Sequence, residues 1–288
     1  MNKQIKAGLF GIGLDTYWAQ FPGLLEKLNG YLQGVSDKLT ALDCVVVNAG
    51  MVDNPSKAVS AAGLFNREEV DIIILNISTY ALSHNVLPLL QRTKAPLLVL
   101  NLQPMKAIDY TSFNSLGDRG LMTGEWLSFC QSCVTPELAS VFNRAGIGYH
   151  LITGWLDDND SWKEISDWLD ASRIKKVLSE TRVGVLGHYY NGMLDVYSDI
   201  TMLAAAFGCH FELFEFGLLK QHTINVAVDK IDKEIESFRG WFDVSPDCTL
   251  SDLRSSAASS VALRELAAEL NIAHWSSLRG FRSMPPRV

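Results

Sequence analysis

Two nearly unbroken apolar runs, Val70-Asp-Ile-Ile-Ile-Leu75 and Pro96-Leu-Leu-Val-Leu100, constrain this chain more than any other feature. A strand that is apolar at successive positions offers no face to water, so it belongs inside a parallel sheet covered on both sides. Lys6–Phe10 and Cys44–Val47 supply two further strands, with helical spacing at about 23–39, 56–66 and 83–91 between them. The second half repeats the alternation: a strand at Tyr149–Thr153, a charged helix ending near Leu178, a strand within Val183–Leu186, a helix over Met193–Phe207, and a strand at Cys209–Phe216. Helices over Ile224–Phe242 and Leu250–Leu270 follow. Alternation of this kind predicts an α/β fold of two doubly wound (Rossmann-like), three-layer parallel-sheet domains. Their expected limits are 1–145 and 146–272, with an irregular tail at 273–288.

The composition supports a core in each domain, since 48% of the 288 residues are hydrophobic and 20% charged. With 25 basic against 32 acidic side chains the net charge is −7. The longest basic cluster is Arg173-Ile-Lys175-Lys176, which leaves nucleic acid and anionic membranes as unsuitable partners. No apolar run reaches the length of a membrane span, and Met1–Lys6 runs directly into a strand without room for a signal peptide. The expected location is cytoplasmic. The five cysteines, at 44, 130, 133, 209 and 248, are an odd set without disulfide-scaffold spacing and are expected to be reduced thiols. Cys130-Gln-Ser-Cys133 is formally a CxxC pair. A redox CxxC opens a helix, however, whereas this pair falls well inside the helix predicted over Leu121–Asn143.

Ligands of open α/β sheets bind at the carboxyl ends of the strands. Two loops there are rich in recognition chemistry. After the first strand come Asp15, Thr16, Tyr17 and Trp18, and Tyr80 follows the third. After the strand at 183–186 come His188, Tyr189, Tyr190, Asn191 and Met193. Amphipathic rings, an amide and an imidazole suit a small polyhydroxylated molecule, and packing at the strand end is the bland reading of the same residues. Gly11-Ile-Gly13 invites a dinucleotide reading, but Thr16 occupies the third glycine position and the second strand ends in Val47-Asn48 without a ribose-binding acid. Asn101–Arg119 reads as a long loop, with Asp109, Tyr110 and Arg119 placed to brace it. Asp195 and Asp199 lie four apart on the helix expected at 193–207, where solvation is the plainer role for them. His150 and His210 are expected to pack beside strands.

Three ordered motifs carry a resemblance: Phe10-Gly-Ile-Gly-Leu-Asp-Thr-Tyr-Trp18, Asn114-Ser-Leu-Gly-Asp-Arg119 and Gly187-His-Tyr-Tyr-Asn-Gly-Met-Leu-Asp-Val-Tyr-Ser-Asp199. Together they resemble the L-arabinose isomerase family, within the group that also includes L-fucose isomerase, over roughly residues 5 to 272. The resemblance implies an aldose–ketose isomerase using Mn²⁺ and a carboxylate to move a proton through an enediol, in a trimeric or hexameric homo-oligomer. It implies a pocket methionine at Met193 and a substrate-facing ring at Tyr80. It assigns substrate contact to Asp15–Trp18, where arabinose isomerases commonly carry Gln-His-Leu-Tyr, and Leu116 stands in place of a histidine that reaches a neighbouring subunit. In the family the two glutamates and two histidines that bind metal come later in sequence, so this chain is expected to lack them, as a truncated member would. No catalytic or metal-binding residue is therefore assigned, and Mn²⁺ is expected only in the full-length family. The rival readings are a non-catalytic carbohydrate-binding or sensory module, and a nucleotide-dependent oxidoreductase.

Overall fold

The computed structural model describes residues 4–187, 192–194 and 197–277, the last four by their backbone. It contains two compact units, dividing between Lys176 and Val177. In the first, β1 (Ile5–Ile12), α1 (Thr16–Gln20), α2 (Leu24–Ala41), β2 (Cys44–Val52), α3 (Pro55–Arg67) and β3 (Ile72–Ile77) follow one another. Then come α4 (Leu87–Leu90), β4 (Leu97–Gln103), α5 (Tyr110–Ser115), α6 (Arg119–Leu127), α7 (Gln131–Arg144), β5 (Tyr149–Trp155) and α8 (Asn159–Ser179). All five strands are parallel, in the order β2-β1-β3-β4-β5.

The side-chain alternation of a strand explains the layering. Ile72 and Ile74 of β3 point with Ala7, Leu9, Leu98 and Leu100 into one apolar cluster, closed by Leu32, Val35 and Leu39 of α2 and by Ile165 and Leu169 of α8. Ile73 and Leu75 point the other way, with Phe10, Ile12 and Val99, against Phe65 of α3, Leu89 of α4, and Val134, Leu138 and Phe142 of α7. The sheet is thus buried on both faces, as the unbroken apolar runs require.

The expected boundary at 145/146 is displaced. β5 pairs with β4 from Leu97↔Tyr149 to Gln103↔Trp155, and α8 packs on the same sheet. Arg173 donates to the carbonyls of Leu42 and Asp43, and Lys176 pairs with Asp71 at 2.9 Å, which ties α8 to the first unit as far as its last turns. The long loop expected at 101–119 is also shorter than foreseen. β4 runs on to Gln103, and Asp109 caps α5 by accepting from the amides of Thr111 and Ser112.

The second unit holds β6 (Arg182–Leu186), α9 (Ile200–Phe207), β7 (His210–Phe214), α10 (Phe216–Asn225), α11 (Val228–Trp241), α12 (Leu250–Glu269) and β8 (His274–Ser277). Its strands are parallel in the order β7-β6-β8. Leu186 and Phe214 pack against Leu219 of α10 and Leu263 and Leu266 of α12. Two expectations change here. The helix foreseen from Met193 starts at Ile200, because the Asp199 carboxylate accepts from the Met202 amide and caps it; Asp199 is a helix cap and not a member of a helical carboxylate pair. The tail foreseen as irregular from 273 begins with β8, whose four residues are too few to show a period. No described helix is long and apolar enough to cross a membrane.

Candidate functional site

The strand order of the first sheet reverses between β1 and β3, and in open α/β sheets ligands commonly bind outside the carboxyl ends of the strands at such a reversal. β1 leads there through Gly13 into Asp15 and α1, and β3 leads through Ser78 and Thr79 to Tyr80. Of the five residues expected at this end, the structure groups the three rings. Tyr17 stacks edge-on against Trp18 and Phe21, with centroids 6.5 and 5.9 Å apart. Burial raises the Tyr17 pKa above its ordinary value, and the neighbouring Tyr80 and Cys130 push it the same way. Tyr80 is 38% exposed. Asp15 and Thr16 are exposed at the start of α1 and make no side-chain cap there.

The two glycines serve packing. A Cβ on Gly13 would lie 2.7 Å from Trp18 Cη2, and one on Gly11 would lie 2.6 Å from Ser78 Oγ. Gly11 and Ile12 are the last residues of β1, and the backbone of Gly11-Ile-Gly13 is approached by protein side chains where the dinucleotide reading would need a pyrophosphate.

Sequence reasoning did not foresee the residues that organise this end. Asp53, just past β2 and 2% exposed, accepts from Trp18 Nε1 at 2.9 Å, Lys57 Nζ at 2.7 Å and Asn54 Nδ2 at 3.1 Å. Asn54 itself caps α3, with Pro55 at the first helical position. Asn85 is fully buried and donates to the carbonyls of Gly13, at 3.0 Å, and Asp53, at 2.9 Å, joining the ends of β1 and β2. Thr79 Oγ1 donates to the Leu127 carbonyl at 2.7 Å, and Gln131 Nε2 donates to the carbonyls of Ser78 and Ser128. The α6–α7 junction is thereby fastened to the end of β3. Asp53-Asn54-Pro55, an acid before a cap and a proline after an apolar strand, was the one local signal that marked this region.

Beside Asp53 opens a cleft of about 400 Å³. Leu25, Asn29, Leu32 and Gln33 of α2 form one wall, and Asn48, Gly50, Met51, Asp53 and Lys57 form the other. Gly50 has φ 72°, in the left-handed region where glycine carries no penalty, and the β1–β2 register shifts there, turning the Asn48 side chain back to accept from the Gly50 amide at 2.8 Å. None of the residues expected from sequence lines this cleft; Trp18 touches it only through Asp53.

Met193 lies in the second unit and is 45% exposed. His188, Tyr189, Tyr190, Asn191 and Asp195 lie outside the described residues. His150 has a structural role, bonding Glu164 at 2.6 Å and stacking on Trp168 with centroids 4.7 Å apart, while His210 is exposed and 3.6 Å from Glu212. Among the described residues no three His, Cys, Asp or Glu side chains converge as metal ligands. No family model and no curated protein matches the chain.

Proposed function

We propose that this chain recognises a small sugar as a relative of the aldose–ketose isomerases, with the first unit's cleft as its binding site. The observation that carries the reading is the lining: the amide-bearing residues Asn29, Gln33 and Asn48 share with the Asp53–Lys57 ion pair the lining of a cleft whose volume lies within the roughly 300–1,000 Å³ range of ligand sites. Amides donate and accept side by side, and so match vicinal hydroxyls, which do the same. A single neutralised ion pair gives orientation without selecting a strongly charged ligand. Isomerase chemistry, with proton transfer through an enediol, is proposed on the resemblance of the three motifs alone, and none of their residues lines the cleft.

Titration calorimetry with a panel of pentoses and hexoses, with and without Mn²⁺, tests both parts. The expected result is a saturable heat for at least one sugar that falls roughly tenfold in affinity, about 1.4 kcal/mol, in Asn29→Ala. Metal-independent affinity without turnover supports a binding module, and Mn²⁺-dependent aldose–ketose conversion by the purified chain supports the enzyme. No heat with any sugar, or an unchanged affinity in Asn29→Ala, removes the assignment of this cleft.

A further inference from the structure

The Cys130-Gln-Ser-Cys133 pair is not inside a helix. α6 ends at Leu127, Cys130 is the N-cap residue of α7 with φ −91° and ψ 23°, and Cys133 lies in the first turn, its amide donating to the Cys130 carbonyl at 3.2 Å. The pair therefore opens a 14-residue helix. The first turn of a helix brings positions i and i+3 to roughly 5–6 Å between Cβ atoms, close to what a disulfide needs. Here Cys133 is a direct electrostatic neighbour of the Cys130 thiol.

Their surroundings divide the work. Cys130 is 1% exposed, packed with Leu24, Leu28, Met51 and Leu127, and its Sγ donates to the Trp126 carbonyl at 3.3 Å. Cys133 is exposed. Among the described residues the other cysteines are buried, at 44 and 209, or half-buried, at 248.

We propose that Cys130 and Cys133 form a reversible disulfide site for small-molecule disulfides, with Cys133 the attacking thiol and Cys130 the resolving one. The Cys133 thiolate attacks one sulfur of a disulfide RSSR, forming a mixed disulfide and expelling RS⁻, which takes up a proton. Cys130 then loses its proton to solvent and attacks Cys133 Sγ, expelling the second RS⁻. The sum is two protein thiols plus RSSR giving one protein disulfide plus two RSH, so electrons and protons balance. Burial, reinforced by the neighbouring Cys133, holds the Cys130 thiol well above the ordinary thiol range, which keeps it protonated until a mixed disulfide forms beside it. Cys130 shares its apolar cluster with Tyr17 and Trp18, so bond formation draws on the same packing as the rings at the end of β1.

The test incubates the reduced full chain with oxidised glutathione, blocks remaining thiols with iodoacetamide, and maps the peptide carrying both cysteines by mass. The wild-type peptide is expected unalkylated and about 2 Da lighter than its dithiol form, the mass of two hydrogens. Cys130→Ser, with Cys130→Ala as a second variant whose folding is checked by circular dichroism, is expected to retain glutathione on Cys133. In Cys133→Ser, Cys130 is expected to stay free of glutathione. Wild-type protein that accumulates the glutathione adduct as fully as the Cys130 variants, or that remains alkylated at both positions, overturns the proposal.

Discussion

At Gly13 only a backbone fits. Its missing Cβ leaves room for the Trp18 ring, which in turn hands its N–H to the buried Asp53 carboxylate. Gly13→Ala forces a contact at 2.7 Å against a ring held at its other end, and overpacking of this kind costs about 1–3 kcal/mol. Asp53→Ala strands the half-buried Trp18 N–H, and a lost partner for a buried donor also costs about 1–3 kcal/mol. Because both act through one indole, the double variant should lose less than the two single losses added together. Urea unfolding of the three variants measures this; full additivity would show that Trp18 does not couple the two strand ends. The position of Tyr17, Trp18 and Tyr80 beyond the strand ends was legible from sequence because the apolar runs stop just before them, although none of the three lines the cleft. Asp53, Asn85 and Gln131 were not legible. Their bonds span 35, 72 and 53 residues to Trp18, Gly13 and Ser78, and no local pattern encodes such partners.

One buried carboxylate of α11 is bonded to two side chains of α12. Glu234, 6% exposed, accepts from Ser260 Oγ at 2.8 Å and Arg264 Nη1 at 2.7 Å, and Arg264 Nη2 makes a second bond to it. Burial works to raise the Glu234 pKa, but the hydrogen bonds from Arg264 and Ser260, with the Arg264 charge, leave it below the ordinary value. A carboxylate lowered by folding stabilises the native state above the unfolded pKa of about 4.3, and that contribution disappears as pH falls through the lower native value. Glu234→Gln should therefore be less stable than wild type near pH 7, and the gap should close on acidification below about pH 4. Melting curves across that range decide it, and a gap that is constant with pH would mean the loss is one of packing. Both helices were readable from their spacing. The break between α6 and α7 was not, because apolar positions recur at helical spacing from Met122 to Phe142 and neither glycine nor proline marks the junction at Ser128–Cys130. That continuity is why the CxxC pair reads as helix interior.

For the whole chain, the position of the unit boundary is decided by where β5 and α8 bury their side chains. From sequence, Tyr149–Thr153 reads as the opening strand of a second domain, since a strand followed by a long helix begins a new unit as readily as it ends an old one. The apolar face of β4 settles the matter: Leu98, Leu100 and Leu102 share a cluster with Ile152 of β5 and Ile165 and Leu169 of α8. A chain cut at 145 would uncover those three leucines and leave the β4 edge without its partner strand. At about 1.5–3 kcal/mol for each leucine returned to water, the loss is comparable to the lower half of the roughly 5–15 kcal/mol that keeps a domain folded. A fragment ending at Glu180 keeps the whole sheet, with Arg173 and Lys176 still bound to Asp43 and Asp71. The 1–180 fragment should show a cooperative thermal transition by circular dichroism, and the 1–145 fragment should show none and should bind a hydrophobic dye. A cooperative transition in the shorter fragment would place the fold's essential core in β1–β4 alone, with β5 and α8 as additions to it.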